Sequence, residues 1–411
     1  MIMKYYFLAG IFPDSLYSEI IANSKGSIHF AADALQKSFI EGLSELYENF
    51  EIVNFPFIHP YPQRYRRLFI SESETIYRTY KGKDVICYNL GFCNLFEYKK
   101  KSIERSAYSF FDRELSSNVE SICIIIYAIT TSTLNACSRL KAKYGNRVKT
   151  VLIVPDLPQH TYDASSYIHR FYYEYQSRIF KKGYLVVDAF VLLSKYMADS
   201  LPVEGKPWTV VEGIYNLKDD INQPPNESKK EKVVFYAGSL SMRYGIKNLV
   251  DAFVMTKNDN YRLQICGNGD AVGYIKECCK KDRRIDYLGQ LPRSQAVELQ
   301  RGATLLVNPR TSEGEYTKYS FPSKTMEYLA SGVPTLLYKL PGIPEDYFNY
   351  CFYLSDESVK VLSKKLEEIL SMDIENLSKI GNEARKFILQ HKNPYAQCKK
   401  VKALTDIIIK R

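Results

Sequence analysis

The sequence predicts an α/β protein built from two doubly wound, parallel-sheet, Rossmann-like domains that face a cleft. Two observations lead to this fold class. The chain has 411 residues, which is more than one ordinary hydrophobic core accommodates. Short apolar runs alternate with amphipathic stretches along its whole length, and this alternation is typical of a parallel sheet covered by helices on both faces.

In the first half, the amphipathic stretch Ile28–Tyr47 has apolar residues spaced three or four apart over several turns, which predicts a helix. Short apolar runs of β-branched and aromatic residues lie on both sides of it and predict strands. The predicted strands are Met3–Ile11, Glu51–Phe57, Asp84–Leu90, Ser121–Ala128, Thr150–Val154 and Ala189–Leu193.

The second half repeats the pattern, with helices predicted at Ile246–Met255 and Ser294–Arg301. From Ile374 onward the chain is expected to be helical, with a break at Pro394. The predicted strands are Trp208–Val211, Val233–Ala237, Arg262–Cys266, Ile285–Leu288, Ala303–Val307 and Pro334–Leu337.

We expect the first domain to span residues 1–200 and the second domain residues 201–391. The last helix, about 392–411, is expected to pack back on the first domain. The segment Asp219–Lys232 is polar and contains two prolines, so it is predicted to be a surface loop of the second domain.

Composition narrows the class of protein. The net charge of +10 favours an anionic partner, although a solvated basic surface has the same charge. Nine cysteines lie at scattered positions without a Cys-x-x-Cys pair, which argues against a zinc site or a disulfide framework and suits a reducing compartment. The longest apolar run, Ile122–Ile129, is too short to span a membrane, and the first residues do not resemble a signal peptide. We therefore expect a cytoplasmic protein.

The most informative segment is Phe321–Pro334, which follows a predicted strand and a polar loop. Pro322 suits the first turn of a helix, where free backbone N–H groups attract anions. Ser323 and Lys324 lie in that turn, and Glu327 falls one turn further along on the face of Ser323. A phosphate at the start of the helix and a sugar hydroxyl one turn further would use all three polar groups. This spacing indicates a nucleotide-sugar site.

Two further loops follow predicted strands of the second domain. Gly238 permits a tight turn close to a ligand, and the charges of Arg243 and Lys247 suit a diphosphate. A solvated basic helix start explains these two cations equally well. Gly267 and Asn268 lie in a glycine-rich strand-to-helix turn that does not match the dinucleotide spacing Gly-x-Gly-x-x-Gly. A tight turn explains that segment better than direct ligand contact does.

Three residues are candidates for contact with sugar hydroxyls. Asp156 follows a predicted strand of the first domain between two prolines, although an Asp there also favours a turn. Gly26 lies in a hydroxyl-rich loop before the first long helix, where Ser27 is an alternative helix cap. Glu315 lies in the loop before Pro322, as either a sugar ligand or a loop charge. The sequence contains no Asp-x-Asp triplet, so we expect no metal and no other cofactor.

The run Tyr98–Lys101, with Arg105 and nearby Phe residues, mixes cationic and aromatic side chains. Such a surface could rest on an anionic membrane. A surface that stacks on nucleic acid has a similar composition. A solvated helix face with buried aromatic rings is the simplest interpretation.

Four motifs in the second half occur in the order typical of one enzyme family. Together they resemble the GT-B glycosyltransferases, specifically glycosyltransferase family 4. The segment 24–36 in the first half resembles a bacterial surface-polysaccharide subgroup of that family. The motifs are Tyr236-Ala-Gly-Ser-Leu with Gly245-Ile-Lys-Asn-Leu, Leu263-Gln-Ile-Cys-Gly-Asn-Gly-Asp, Tyr287-Leu-Gly, and Phe321-Pro-Ser-Lys-Thr-Met-Glu-Tyr-Leu-Ala-Ser-Gly-Val-Pro.

The resemblance implies that the second domain holds a nucleotide-sugar donor and the first domain an acceptor. Glu327 matches the family's ribose-binding Glu, and Ser323 and Lys324 match its phosphate-side positions. Arg243 would serve the diphosphate.

The chain departs from the family pattern at three positions. Ser239 stands where the family has an Arg next to the glycine, and Tyr244 where it has a Lys. Tyr319 occupies the position of a Glu that touches the donor sugar in many members, and Glu315 is the nearby substitute.

We therefore expect a hexosyltransferase-type enzyme that moves a sugar from a nucleoside diphosphate to an acceptor hydroxyl. The resemblance implies retention at the anomeric carbon without a metal, in the synthesis of bacterial exopolysaccharide, capsule or O-antigen. The expected acceptor is a sugar or a lipid-linked oligosaccharide, and nucleic acid is not among the expected partners. Peripheral contact with the inner face of the plasma membrane stays open. The alternatives are a non-catalytic binding or assembly protein on this fold, and a sugar-nucleotide epimerase or oxidoreductase.

Overall fold

The computed structural model describes residues 3–117, 119–157, 183–219 and 231–410. The chain divides into two compact units. The first unit comprises Met1–Ile214 and Asn393–Arg411, and the second unit comprises Tyr215–Lys392.

The strands of the first unit are β1 (Met3–Ala9), β2 (Phe50–Asn54), β3 (Phe69–Ile70), β4 (Ser73–Arg78), β5 (Asp84–Asn89), β6 (Phe92–Cys93), β7 (Ser121–Tyr127), β8 (Val148–Val154), β9 (Ala189–Leu192) and β10 (Trp208–Val210). Its first four helices are α1 (Asp14–Asn23), α2 (Phe30–Leu46), α3 (Lys99–Ser116) and α4 (Thr131–Tyr144).

Eight of these strands form one sheet in the order β10-β9-β8-β7-β1-β2-β5-β4. All neighbours are parallel except β4, which pairs antiparallel with β5 at the edge. Strands β3 and β6 form a separate antiparallel pair. The central strand β7 is buried along its whole length because helices cover both faces of the sheet.

The strands of the second unit are β11 (Lys232–Ser239), β12 (Tyr261–Asn268), β13 (Ile285–Tyr287), β14 (Leu305–Asn308), β15 (Thr335–Tyr338) and β16 (Phe352–Leu354). Its helices are α5 (Ile246–Val254), α6 (Val272–Lys281), α7 (Arg293–Arg301), α8 (Tyr316–Tyr319), α9 (Ser323–Ala330), α10 (Val359–Ser371) and α11 (Ile374–His391). The final helix, α12 (Pro394–Lys410), belongs to the first unit.

The second sheet is parallel throughout, in the order β13-β12-β11-β14-β15-β16. The chain builds one half outward from β11 and then returns to build the other half outward from β14. Strands β11 and β14 are therefore the topological switch point, and ligands of such sheets bind outside the carboxyl ends of the strands there. The predicted pair of doubly wound, parallel-sheet domains is confirmed.

Several predicted details differ from the structure. Residues 201–214, which we assigned to the second domain, belong to the first unit because β10 pairs with β9. The sequence analysis missed β4 and β16, which are edge strands with exposed positions. Ser27 does not cap α2, which begins after His29. Residues 220–230 of the predicted surface loop lie outside the described residues.

Helix α12 completes the core of the first unit. Cys398, Val401 and Leu404 are buried in the same cluster as Phe39 of α2. The Gln397 side chain donates a hydrogen bond of 2.9 Å to the carbonyl of Gly213. None of the nine cysteines forms a disulfide. Within the described part of the chain, every helix is too short or too polar to cross a bilayer.

Candidate functional site

A pocket of about 380 Å³ opens at the switch point of the second unit. This volume lies within the range of small-molecule sites. We call it the switch-point pocket. Its walls come from the ends of β11 and β12, the loop after β13, helix α7 and the start of α9. The lining residues are Ala237, Gly238, Ser239, Cys266, Gly267, Asn268, Gln290, Leu291, Arg293, Ala296, Val297, Gln300, Lys324 and Glu327.

Helix α9 begins beside this pocket. Pro322 is its N-cap residue rather than a residue of the first turn, and no side chain caps the helix at that position. The N–H group of Thr325 donates to the carbonyl of Pro322 at 2.9 Å. The N–H groups of Ser323 and Lys324 precede it in the first turn, where helical N–H groups have no intrahelical acceptor. This end of the helix can therefore bind an anion.

The side chain of Lys324 lies directly over Gly238. A Cβ atom added to Gly238 would be 2.3 Å from Cε and 2.7 Å from Nζ of Lys324, so only glycine allows this approach. Burial lowers the pKa of Lys324 below its usual value of 10.5. Within the described residues, its ammonium forms no hydrogen bond or ion pair. The pocket thus holds a partly desolvated positive charge that an anionic ligand would neutralise.

Tyr328 fixes the end of β11. Pairing between β11 and β14 stops at Phe235 and Leu306. Two residues later, the N–H of Ala237 donates to the hydroxyl of Tyr328 at 3.2 Å, in place of a strand partner. The fully buried Tyr328 ring therefore couples α9 to the strand that carries Gly238.

We expect Tyr328→Phe to lower the free energy of unfolding by about 1–3 kcal/mol, because it leaves the Ala237 N–H without its acceptor. Chemical denaturation of the purified variant measures this change. The matched control is Tyr353→Phe, at an exposed ring of the same unit. Equal stabilities of the two variants would contradict the role assigned to Tyr328.

Gly267 and Asn268 line the pocket from the end of β12. A Cβ atom on Gly267 would lie 1.8 Å from the carbonyl oxygen of Gly238, and Gly267 has a φ of +139°. This glycine is therefore required by the close approach of two strand ends. The Tyr287 hydroxyl donates to the Gly267 carbonyl at 3.0 Å, and this bond links the end of β13 to the end of β12.

Glu327 extends into the pocket from the second turn of α9, and its side chain is 48% exposed. One carboxylate oxygen lies 3.7 Å from the Arg293 guanidinium. The side chain of Gln300 donates to the backbone carbonyl of Glu327 at 3.4 Å. The carboxylate is thus oriented by a weak, exposed ion pair and can accept hydrogen bonds from a ligand.

The sequence analysis missed the wall formed by α7 and the loop before it. Gln290 and Leu291 follow β13, and Ala296 and Val297 lie on α7. The position of Gln290 and Leu291 after the carboxyl end of a strand was the signal in the sequence that could have indicated a ligand site there. Apolar residues on a helix are, however, expected to face a core, so their pattern does not distinguish a pocket wall from a core face.

Two predicted diphosphate ligands lie elsewhere. Arg243 is exposed and donates to the Tyr244 hydroxyl at 2.9 Å. Lys247 forms an i,i+4 ion pair with Asp251 at 2.5 Å and lies over the Tyr274 ring. Neither is among the described residues that line the switch-point pocket. The hydroxyl that Arg243 contacts is neutral, and the partner of Lys247 is a carboxylate. Their role as diphosphate ligands stays a prediction.

Three more candidates border the segment before α9 without lining the pocket. Glu315 is exposed at the start of α8, and Tyr319 is the half-buried last residue of that helix. Ser323 is exposed at the first position of α9.

The two remaining candidates belong to the first unit. Asp156 follows β8 and is exposed. Gly26 is exposed and has a φ of +103°.

Sequence comparison identifies the part of the chain that carries the pocket. Residues 218–387 match the family Glycosyl transferases group 1. The group 1 region thus contains the switch-point pocket in full. A search of curated proteins gave no significant match.

Solved structures resemble the chain over almost its whole length. Sucrose-phosphate synthase from Thermosynechococcus elongatus has a TM-score of 0.60 at 15% identity, over 99% of each chain. HepE from Anabaena, in complex with UDP and glucose, has a TM-score of 0.56 at 12% identity, over 99% of this chain and 100% of its own. The lipopolysaccharide outer core galactosyltransferase WaaB has a TM-score of 0.56 at 13% identity, over 99% of each chain. The fold is that of the GT-B glycosyltransferases.

Proposed function

We propose that this protein is a hexosyltransferase that moves a sugar from a nucleoside-diphosphate sugar to an acceptor hydroxyl. One observation carries the proposal: the partly buried ammonium of Lys324 forms no hydrogen bond or ion pair among the described residues, at the start of a helix that carries Glu327 one turn later. The family match at residues 218–387 supports the same activity.

The switch-point pocket suggests where each part of the donor binds. The diphosphate lies at Lys324 and the uncapped start of α9, where charge and N–H groups favour an anion. The ribose lies at Glu327, whose carboxylate accepts bonds from two hydroxyls. The base lies toward the apolar side chains of Leu291 and Val297.

The reaction we propose retains the anomeric configuration. The bond between the anomeric carbon and the β-phosphate oxygen breaks while the acceptor oxygen bonds to that carbon from the same face. The acceptor proton passes to the departing β-phosphate. Lys324 stabilises the negative charge that develops on the diphosphate, which is a preorganised electrostatic role.

We further propose that the reaction needs no metal, because a cation and a helix start already face the diphosphate position. We also propose that the acceptor belongs to a bacterial surface polysaccharide and that Asp156 and Gly26 of the first unit serve it. HepE is bound to UDP and glucose, and WaaB is a lipopolysaccharide galactosyltransferase, which supports this class of donor and pathway.

A panel of nucleotide sugars tests the proposal. The true donor should raise the melting temperature, since ligand at 100 times its Kd stabilises the folded state by about 2.7 kcal/mol. The same donor should release nucleoside diphosphate in the presence of EDTA. The matched control is the corresponding nucleoside monophosphate, which lacks the second phosphate and should stabilise less.

Two outcomes would contradict the proposal. The first is a panel in which no nucleotide sugar changes the melting temperature. The second is a protein that binds a donor but transfers or hydrolyses nothing, which would make it a binding protein. Turnover that stops in EDTA and returns with Mg²⁺ would contradict the metal-free mechanism alone.

A further inference from the structure

Several large apolar side chains are exposed together on the first unit. Phe69 is 68% exposed, Phe96 57%, Leu95 45% and Tyr98 39%. Side chains of this size normally lie in the core, and a group of them on the surface marks an interaction site. We call these four residues the exposed apolar cluster.

The four residues share one surface because two segments of the chain are tied together. Strand β3 pairs Phe69 with Cys93 of β6. The N–H of Asn94 donates to the carbonyl of Leu68 at 2.6 Å, and the N–H of Tyr61 donates to the carbonyl of Asn94 at 2.9 Å. These bonds bring Phe69 next to the segment that continues into Leu95, Phe96 and Tyr98.

Lys99 links the start of α3 to the loop that contains Ile58. Its ammonium donates to the carbonyl of Ile58 and lies 5.6 Å from the centre of the Phe92 ring. Burial lowers the pKa of this side chain to about 8. The Lys99 ammonium is therefore held inside the structure and does not add to the exposed charge beside the cluster.

Cationic side chains lie around the cluster. Lys100 and Lys101 are exposed in the first turn of α3, and Arg64 and Arg66 are exposed on the facing segment. Two exposed carboxylates lie near the cluster, Glu97 in the second segment and Glu72 just after β3, against these four cations. Within the described residues, neither Lys100 nor Lys101 forms an ion pair. The surface therefore has an excess of positive charge.

The position of the two lysines is unfavourable for the helix itself. The N-terminus of a helix carries partial positive charge and prefers acidic side chains. Helix α3 has no acidic residue in its first turn. An anion outside the protein would compensate this arrangement.

We propose that the exposed apolar cluster and the surrounding cations dock on an anionic lipid bilayer. The apolar side chains enter the headgroup region and the cations contact lipid phosphates, as on other interfacial surfaces. Both segments follow the carboxyl ends of parallel strands, β2 and β5, which is the edge where such sheets bind ligands. An acceptor anchored in the bilayer would then meet this edge. The docking surface goes beyond the proposed function and does not depend on it.

Vesicle flotation at low salt tests the docking of the full chain. Wild type should float with phosphatidylcholine vesicles that contain phosphatidylglycerol and not with phosphatidylcholine alone. Lys100→Glu with Lys101→Glu, and separately Phe69→Ser with Phe96→Ser, should each weaken binding about tenfold or more. Unchanged melting temperatures would show that both variants are folded.

The matched control is Lys360→Glu with Lys364→Glu, the same charge change at two exposed lysines of the second unit. This control should bind vesicles like wild type. If this control binds vesicles as weakly as Lys100→Glu with Lys101→Glu, the loss of binding depends on net charge alone and the proposal is overturned. Wild-type binding by Phe69→Ser with Phe96→Ser would also overturn it.

Other occupants of the surface give different results. A dimer in solution that Phe69→Ser with Phe96→Ser abolishes, without any vesicle binding, would identify a second copy of the chain and overturn the proposal. Binding of single-stranded DNA at the same salt, lost in the same variants and again without vesicle binding, would overturn it in favour of nucleic acid.

Discussion

Replacement of Lys324 by Ala is expected to lower the turnover number by about 10²-fold or more, the usual cost of losing one preorganised charge donor. The side chain lies against Gly238 and forms no hydrogen bond or ion pair among the described residues. Its charge is therefore available to the leaving diphosphate. Steady-state kinetics with the donor found in the panel measures the change.

Lys280→Ala is the matched control, because Lys280 is an exposed lysine of the same unit in an ion pair with Glu277. This variant should keep the wild-type rate. A Lys324→Ala enzyme with an unchanged rate would rule out the proposed electrostatic role.

The pH dependence of nucleotide binding follows from the lowered pKa of Lys324. As the pH rises through this lowered pKa, below the usual 10.5, the ammonium loses its proton and affinity for nucleoside diphosphate should fall. Below that pKa, the burial of the Lys324 ammonium lowers the free energy of unfolding. Lys324→Met removes the charge, so it should unfold at a higher temperature than wild type. Titration calorimetry between neutral and alkaline pH should show the loss of affinity in wild type and no such step in Lys324→Met.

The second large effect is expected for Glu327→Gln. A hydrogen bond to a charged group contributes about 1.5–3 kcal/mol, so the Kd for the donor nucleotide should rise about 10- to 150-fold. Glutamine keeps the size of the side chain and replaces one of its two acceptor oxygens by a donor. The change should fall mainly on binding, because the ribose does not take part in bond breaking.

The 2′-deoxy nucleotide supplies the decisive comparison. Wild type should prefer the ribonucleotide, and Glu327→Gln should lose most of that preference. Glu298→Gln, at an exposed carboxylate of α7, is the control and should behave like wild type. A preference for ribose that survives in Glu327→Gln would place the ribose elsewhere.

The order of strands and helices in the second unit was largely predictable from the sequence. The predicted strand Val233–Ala237 lies within β11, and the predicted helix Ile246–Met255 matches α5 to one residue. Buried strands and amphipathic helices leave a strong periodic signal because burial dictates their residues. Strand β4 has the alternating exposure of an edge strand and includes exposed Glu74 and Arg78, so its signal was weaker.

The site could be predicted only where local spacing determines it. Lys324 and Glu327 are three residues apart on one helix, and that relation is visible in the sequence. The contact between Lys324 and Gly238 joins positions 86 residues apart, and no local pattern encodes it. Arg243 and Lys247 contact Tyr244 and Asp251 and do not line the pocket, so their role as diphosphate ligands stays a prediction.

The discontinuous course of the first unit has a consequence for how the protein is made. Helix α12 supplies Cys398, Val401 and Leu404 to the core of that unit but is translated after the whole of the second unit. Until α12 is synthesised, the apolar face of α2 in the first unit is therefore uncovered, and chaperones recognise surfaces of this kind. A fragment that stops at residue 214 would keep this face exposed, so a stable version of the first unit requires the last helix to be grafted back onto it.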